Sequence, residues 1–169
     1  MRTWTAVGIV LAMATLAGAQ HRHDGGHGGE PHLVAQQCQK QFEQVIADGR
    51  GFGLAFVADQ EGYPGPLHVL ELKDLLRLSP EQERAMQRMM EAMFADSRPA
   101  AGRLLATERR LRSLFASGTA DEASVRAAVA DVERAHTDLR LVHLLTHLKT
   151  RDRLTDEQRR LYHAARWGH

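Results

Sequence analysis

The chain has 169 residues, 43% of them hydrophobic, and carries 22 cations against 21 acids for a formal charge of +1 at pH 7. So even a balance excludes a nucleic-acid binder held by phosphate contacts, which needs a strong basic excess. About 150 residues remain once a leader is set aside, enough to bury one sizeable core and to make one domain.

Residues 1–19, MRTWTAVGIVLAMATLAGA, hold one early cation (Arg2), an apolar run from Ala6 to Leu16, and small residues at Ala17 and Ala19. This is the pattern of a cleaved secretory signal, and the apolar run is short for a bilayer span. The expectation is export to the periplasm with no membrane insertion after cleavage. Losing the leader removes one cation and no acid, so the mature charge is zero.

Residues 20–32 form a Gly-rich and His-rich tail with no apolar periodicity, predicted to be flexible. His21, His23, His27 and His32 in it are loose metal ligands or merely solubilising. Cleavage after Gln20 would set the His23 imidazole third from a free amine, an arrangement suited to square-planar Cu(II) or Ni(II). Cleavage after Ala19 would remove it.

A segment over 33–65 follows, with a short helix from Leu33 to Ala47 and a Gly- and Pro-rich connector to Pro66, read as a loop. The GRGFG run in the connector has no preceding strand, no following helix and no Lys-Ser/Thr ending, so it is no phosphate loop. Cys38 is the single cysteine, which excludes an intrachain disulfide and leaves a buried small residue or an intermolecular bridge.

Residues 66–169 read as one helical domain, with helices over Leu67–Arg77, Pro80–Ala95, Ala100–Ala116, Asp121–Arg151 and Asp156–Arg166. The fold class is all-α, an antiparallel helical hairpin with short N- and C-terminal flanking helices. Met86, Met89, Met90, Met93 and Phe94 make one apolar stripe, taken as core ahead of soft Cu(I) ligands or a surface for unfolded clients. It is expected to pack on Val125, Val129, Val132 and Leu139. Leu141, Leu144, Leu145 and Leu148 give the long helix a second apolar face, which a homodimer would cover.

On that long helix His136, His143 and His147 fall within about 40° of one another at 100° per residue. His143 and His147 are one turn apart, the spacing that lets two imidazoles share a metal ion. Core hydrogen bonding and a favourable helix C-terminus are the structural alternatives. Arg103, Arg109, Arg110 and Arg112 make the Ala100–Ala116 segment locally basic. No Ser-His-Asp pattern, HExxH, Walker motif or carboxylate pair is present, so nothing argues for an enzyme.

One five-residue phrase occurs twice, LSPEQ at 78–82 and LTDEQ at 154–158. Each reads as a capping box, with Ser79 or Thr155 as N-cap and Gln82 or Gln158 at N3 reaching back to the cap. The residues at N4 are Glu83 and Arg159, so Leu78 and Leu154 have no staple partner and should dock on other helices.

Two such phrases bracketing helices behind a leader resemble the LTxxQ group of periplasmic proteins. That group takes in the Spy/CpxP-type stress proteins and their CnrX- and ZraP-like heavy-metal relatives. The resemblance spans residues 66–163 and implies a non-enzymatic helical-hairpin dimer that binds a divalent transition metal (Zn, Ni, Co or Cu), with no organic cofactor. In the nickel and cobalt sensors the matching helix supplies a His and a Met one turn apart, positions that His143 and His147 would take. The sensors' first helix supplies a His pair, whereas this chain has His68 with Leu72 one turn on, leaving Glu71 or Glu91 as oxygen ligands. The chaperones of the group hold unfolded proteins on a mixed basic and apolar face, which implies such a role for the four arginines, unless they are only a solvated face. A third implied partner is a membrane sensor kinase or anti-sigma protein.

Overall fold

A computed structural model of the chain describes residues 31–49 and 53–168. The leader and the tail to Glu30 lie outside the described residues. Among these there are six helices and no strand: α1 (Pro31–Ala47), α2 (Phe56–Gln60), α3 (Pro66–Glu71), α4 (Pro80–Ala116), α5 (Glu122–Arg151) and α6 (Asp156–Trp167). The two long helices, α4 and α5, return on each other antiparallel and carry most of the packing, while the short ones flank them. No described helix is long and apolar enough to cross a membrane.

The expected break between Ala95 and Ala100 does not occur, for α4 runs 37 residues with Pro99 inside it. Proline removes one helical hydrogen bond and crowds the preceding turn, at a cost of about 3 kcal/mol. Here the helix is packed on both sides of the proline: Ser97, Ala100, Ala101, Leu104 and Leu105 are all buried, and Pro99 itself faces outward. Burial of both halves along one line holds them in one rod, so local propensity is overridden.

The Met stripe and the Val stripe do not meet as expected. Val132 and Leu139 pack with Ala100, Ala101, Leu104 and Leu105 in one apolar cluster, to which α1 adds Ile46 and the connector adds Leu54. Met86 enters a second cluster with Val69, Leu76, Leu78, Leu154 and Tyr162, and Met89 lies against it. Val125 is only half-buried and Val129 is exposed. The reason is register. In a tight antiparallel return, residues equidistant from the turn face each other. Met86 stands 30 residues before the end of α4, whereas Val132 stands 10 after the start of α5.

Both repeated phrases form the predicted capping boxes. Gln82 N–H donates to Ser79 Oγ and Ser79 N–H to Gln82 Oε1, and Thr155 with Gln158 repeats the pattern. Leu78 and Leu154 turn inward and join the same cluster, as their missing staples implied. The two boxes also lock to each other. Gln82 Nε2 donates to Gln158 Oε1 at 2.9 Å and Gln158 Nε2 to Gln82 Oε1 at 3.1 Å. The second proton of each amide goes to a backbone carbonyl, Arg153 for Gln82 and Leu76 for Gln158. Every polar atom of the amide pair, Gln158 buried and Gln82 half-buried, is satisfied, which is what burial demands.

Two smaller readings change. The connector is not only loop, since α2 forms within it. Cys38 is exposed on α1, so it is not a buried small residue. Leu141, Leu145 and Leu148 are also exposed, and nothing among the described residues covers the row where a second copy was expected.

Candidate metal site

Between the two apolar clusters α4 and α5 carry a polar belt. Along α5 the buried positions run Val132, Ala135, Leu139, then His143 and His147, then Thr150. Ser97 and Met93 stand at the same level of α4, between Leu104 on one side and Met86 on the other. The hydrophobic period thus continues through the belt with imidazoles in place of leucines, which is why the His spacing was readable.

The connector covers both imidazoles, leaving His143 at 4% and His147 at 7% of their free exposure. His147 Nδ1 lies 2.7 Å from the Tyr63 carbonyl. A carbonyl only accepts, so Nδ1 carries the ring proton of the neutral imidazole and Nε2 keeps its lone pair. Nε2 comes close to Gly65, where any Cβ would stand 2.8 Å from it. Glycine is required there by space, between Pro64 and Pro66, both buried. The Gly49 backbone lies beside His143, whose buried Nε2 meets no hydrogen-bond partner among the described residues. Gly49 in turn accepts from Ser97 Oγ at 3.1 Å. A Cβ on Gly49 would meet that hydroxyl at 2.5 Å, and its φ of +72° also favours glycine.

Burial lowers the pKa of His143 below the ordinary value, and the nearby His147 lowers it further against the pull of the Gly49 backbone. Burial also lowers His147, opposed by the Tyr63 carbonyl and Asp59 and assisted by His68 and Arg166. Both rings therefore stay neutral at pH 7. The unfolded chain takes up these protons more readily, so the stability from the neutral pair is whole above about pH 6.5 and is lost as the pH falls below that. From about pH 7.5 to about pH 5.5 the native melting temperature should fall more steeply than that of His143→Gln/His147→Gln. Equal slopes would place the pH dependence elsewhere.

The connector is held down by a latch that sequence reasoning missed. Asp59 of α2, buried, accepts from Tyr162 O–H and from Arg166 Nε at 2.6 Å, both on α6. Burial, then the bond to Asp59, pushes the Tyr162 hydroxyl far above the usual tyrosine range, so it remains a donor. Nothing in the spacing of FVADQ announces a partner 103 residues away.

The other candidate residues lie apart from this pair. His136 is half-buried two turns before His143. His68, also half-buried, pairs through Nδ1 with Glu71 at 2.9 Å. His21, His23 and His27 lie outside the described residues, and of His32 only the backbone, within α1, is described. Among the described residues no group of three or more His, Cys, Asp or Glu is placed to hold a metal ion. Arg103, Arg109, Arg110 and Arg112 are all exposed along α4, with Arg109 and Arg112 beside Lys40 and Glu43 of α1.

No curated protein and no solved structure matches the chain. The model of the family described as heavy-metal resistance matches residues 51–160, from the connector over the His pair to the second capping phrase. The chain therefore belongs to the heavy-metal resistance family.

Proposed function

We propose that this is a non-enzymatic periplasmic protein that serves heavy-metal resistance by binding a divalent transition-metal ion through His143 and His147. The observation that carries the reading is the buried Nε2 of His143, which among the described residues meets no hydrogen-bond partner one helical turn from a second imidazole. A buried polar atom without a partner costs about 1–3 kcal/mol, and a metal ion would satisfy it. The donor set fits: neutral imidazole suits Zn, Ni, Co and Cu, and ligation requires the deprotonated ring that burial maintains here. The Tyr63 carbonyl acts as the outer partner that orients one ligand ring. Two imidazoles make a partial coordination sphere, which water would complete.

Titration of the mature chain with Zn(II), Ni(II), Co(II) and Cu(II), followed by calorimetry and melting, tests this. A bound ion should raise stability by about 2.7 kcal/mol at a hundredfold excess over Kd. His143→Ala/His147→Ala should abolish that rise, while His21→Ala/His23→Ala/His27→Ala should retain it. The reading fails if the two variants behave the other way round.

A further inference from the structure

Between the turn after α2 and the wall made by the end of α5 and by α6 lies a cleft of about 520 Å³. It is lined by Glu61 and Gly62 in the turn after α2, by Arg151 at the end of α5, and by Arg159, Arg160 and His163 of α6. Three arginines thus line one space, with the exposed Glu61 at its rim and Asp156 offsetting Arg159 alone. Like charges repel, so such a group of cations is costly unless something negative offsets it.

Two of the arginines, Arg151 and Arg159, are also held in place. The Arg151 guanidinium stacks 4.6 Å over the Tyr63 ring, a contact that restrains its plane. Arg159 Nε donates to the Arg151 carbonyl at 3.2 Å and its Nη1 to Asp156 at 3.1 Å, so its stem is pinned along the same wall. Among the described residues no carboxylate pairs with Arg151 or Arg160. Planar forks fixed this way match the oxygens of a tetrahedral anion, for which arginine is suited where a point charge is not.

We infer that this cleft is a binding site for a phosphate-type oxyanion, either free phosphate or the head of a small phosphomonoester. Arg151 and Arg160 supply the open donors, with Arg159 behind them. The cleft shares no side chain with His143 and His147, so it stands or falls independently of metal binding. One physical thread joins the two: the Tyr63 carbonyl accepts from His147 while its ring carries Arg151.

The test titrates the full mature chain with inorganic phosphate and with glycerol 3-phosphate, using glycerol as the neutral control, and follows the arginine side-chain N–H signals by NMR. Saturable binding is expected for the anions and not for glycerol, and it should weaken with added salt. The tighter of the two anions identifies the source. Arg151→Gln/Arg160→Gln should weaken binding at least tenfold, while the charge-matched Arg103→Gln/Arg112→Gln should leave it unchanged. Arg151→Lys/Arg160→Lys keeps the charge without the fork and should also lose affinity. Absence of saturation, or equal losses in the cleft and the charge-matched variants, would overturn the site in favour of diffuse attraction.

Discussion

Asp59→Ala is expected to lower stability by about 3 kcal/mol, because it removes the acceptor for two donors at once. Tyr162 is fully buried, so its hydroxyl would be left without a partner and without water. Arg166 would lose its counter-ion in a part-buried position, although its partial exposure lets it turn toward solvent. On a domain of this size the melting temperature should drop by about 10 °C. Tyr162→Phe removes only one hydrogen bond and should cost about 1 kcal/mol. Because the latch ties α2 to α6, hydrogen exchange in those two helices should accelerate ahead of that in the α4–α5 hairpin. A drop under about 2 °C for Asp59→Ala would mean that the latch contributes little and that apolar packing alone holds α6.

Gln158→Glu should cost a comparable 2–4 kcal/mol, roughly, at neutral pH, although it changes one NH₂ to an oxygen. The Gln158 amide donates to the Leu76 carbonyl and to Gln82 Oε1, and both of those groups only accept. A carboxylate there loses two bonds and sets oxygen against oxygen in a buried site. The introduced carboxyl should have a raised pKa in the fold, so the folded variant takes up a proton more readily than the unfolded one. Its deficit relative to the native protein should therefore shrink as the pH falls toward about 5, where a protonated acid can donate one of the lost bonds. Comparing the two proteins at each pH removes the separate effect of His143 and His147, which both share. A deficit that does not change with pH would sink the account of the lock. Gln82→Glu should be milder, since Gln82 is only half-buried.

This second case separates what was readable in the repeated phrase from what was not. The capping boxes were legible because cap chemistry closes within four residues, and the inward turn of Leu78 and Leu154 followed from the lack of an apolar N4 partner. That the two glutamines bind each other was not, since no local rule relates residues 76 apart. Glutamine at N3 of both copies, and not glutamate, has its reason in that contact. A cap needs only an acceptor, whereas the lock also needs two donors.

The same division runs through the rest of the chain. Helical periods revealed the all-α class and most helix bounds, but Pro99 read as a break because the penalty for proline is local and the packing that overrides it is not. The apolar stripe at Met86 and Met93 was recognised as core, yet paired with the wrong partner. The stripes themselves carry no register until the turn at Gly118 sets it. The i, i+4 relation of His143 and His147 was plain. Their burial under the connector depends on Tyr63, Gly65 and Asp59, and the last of these acts through an α6 contact.

By itself, then, the sequence determined the helices, their caps, the family phrase and the spacing of the two imidazoles, because each rests on interactions spanning a turn or two of one helix. Only the tertiary structure decided which stripe met which, that Pro99 would be carried through, that Asp59 would latch α2 to α6, and that three arginines would line one cleft. Those outcomes depend on distant segments meeting. The free energy that selects them comes from burial shared between elements, which no single stretch of sequence contains.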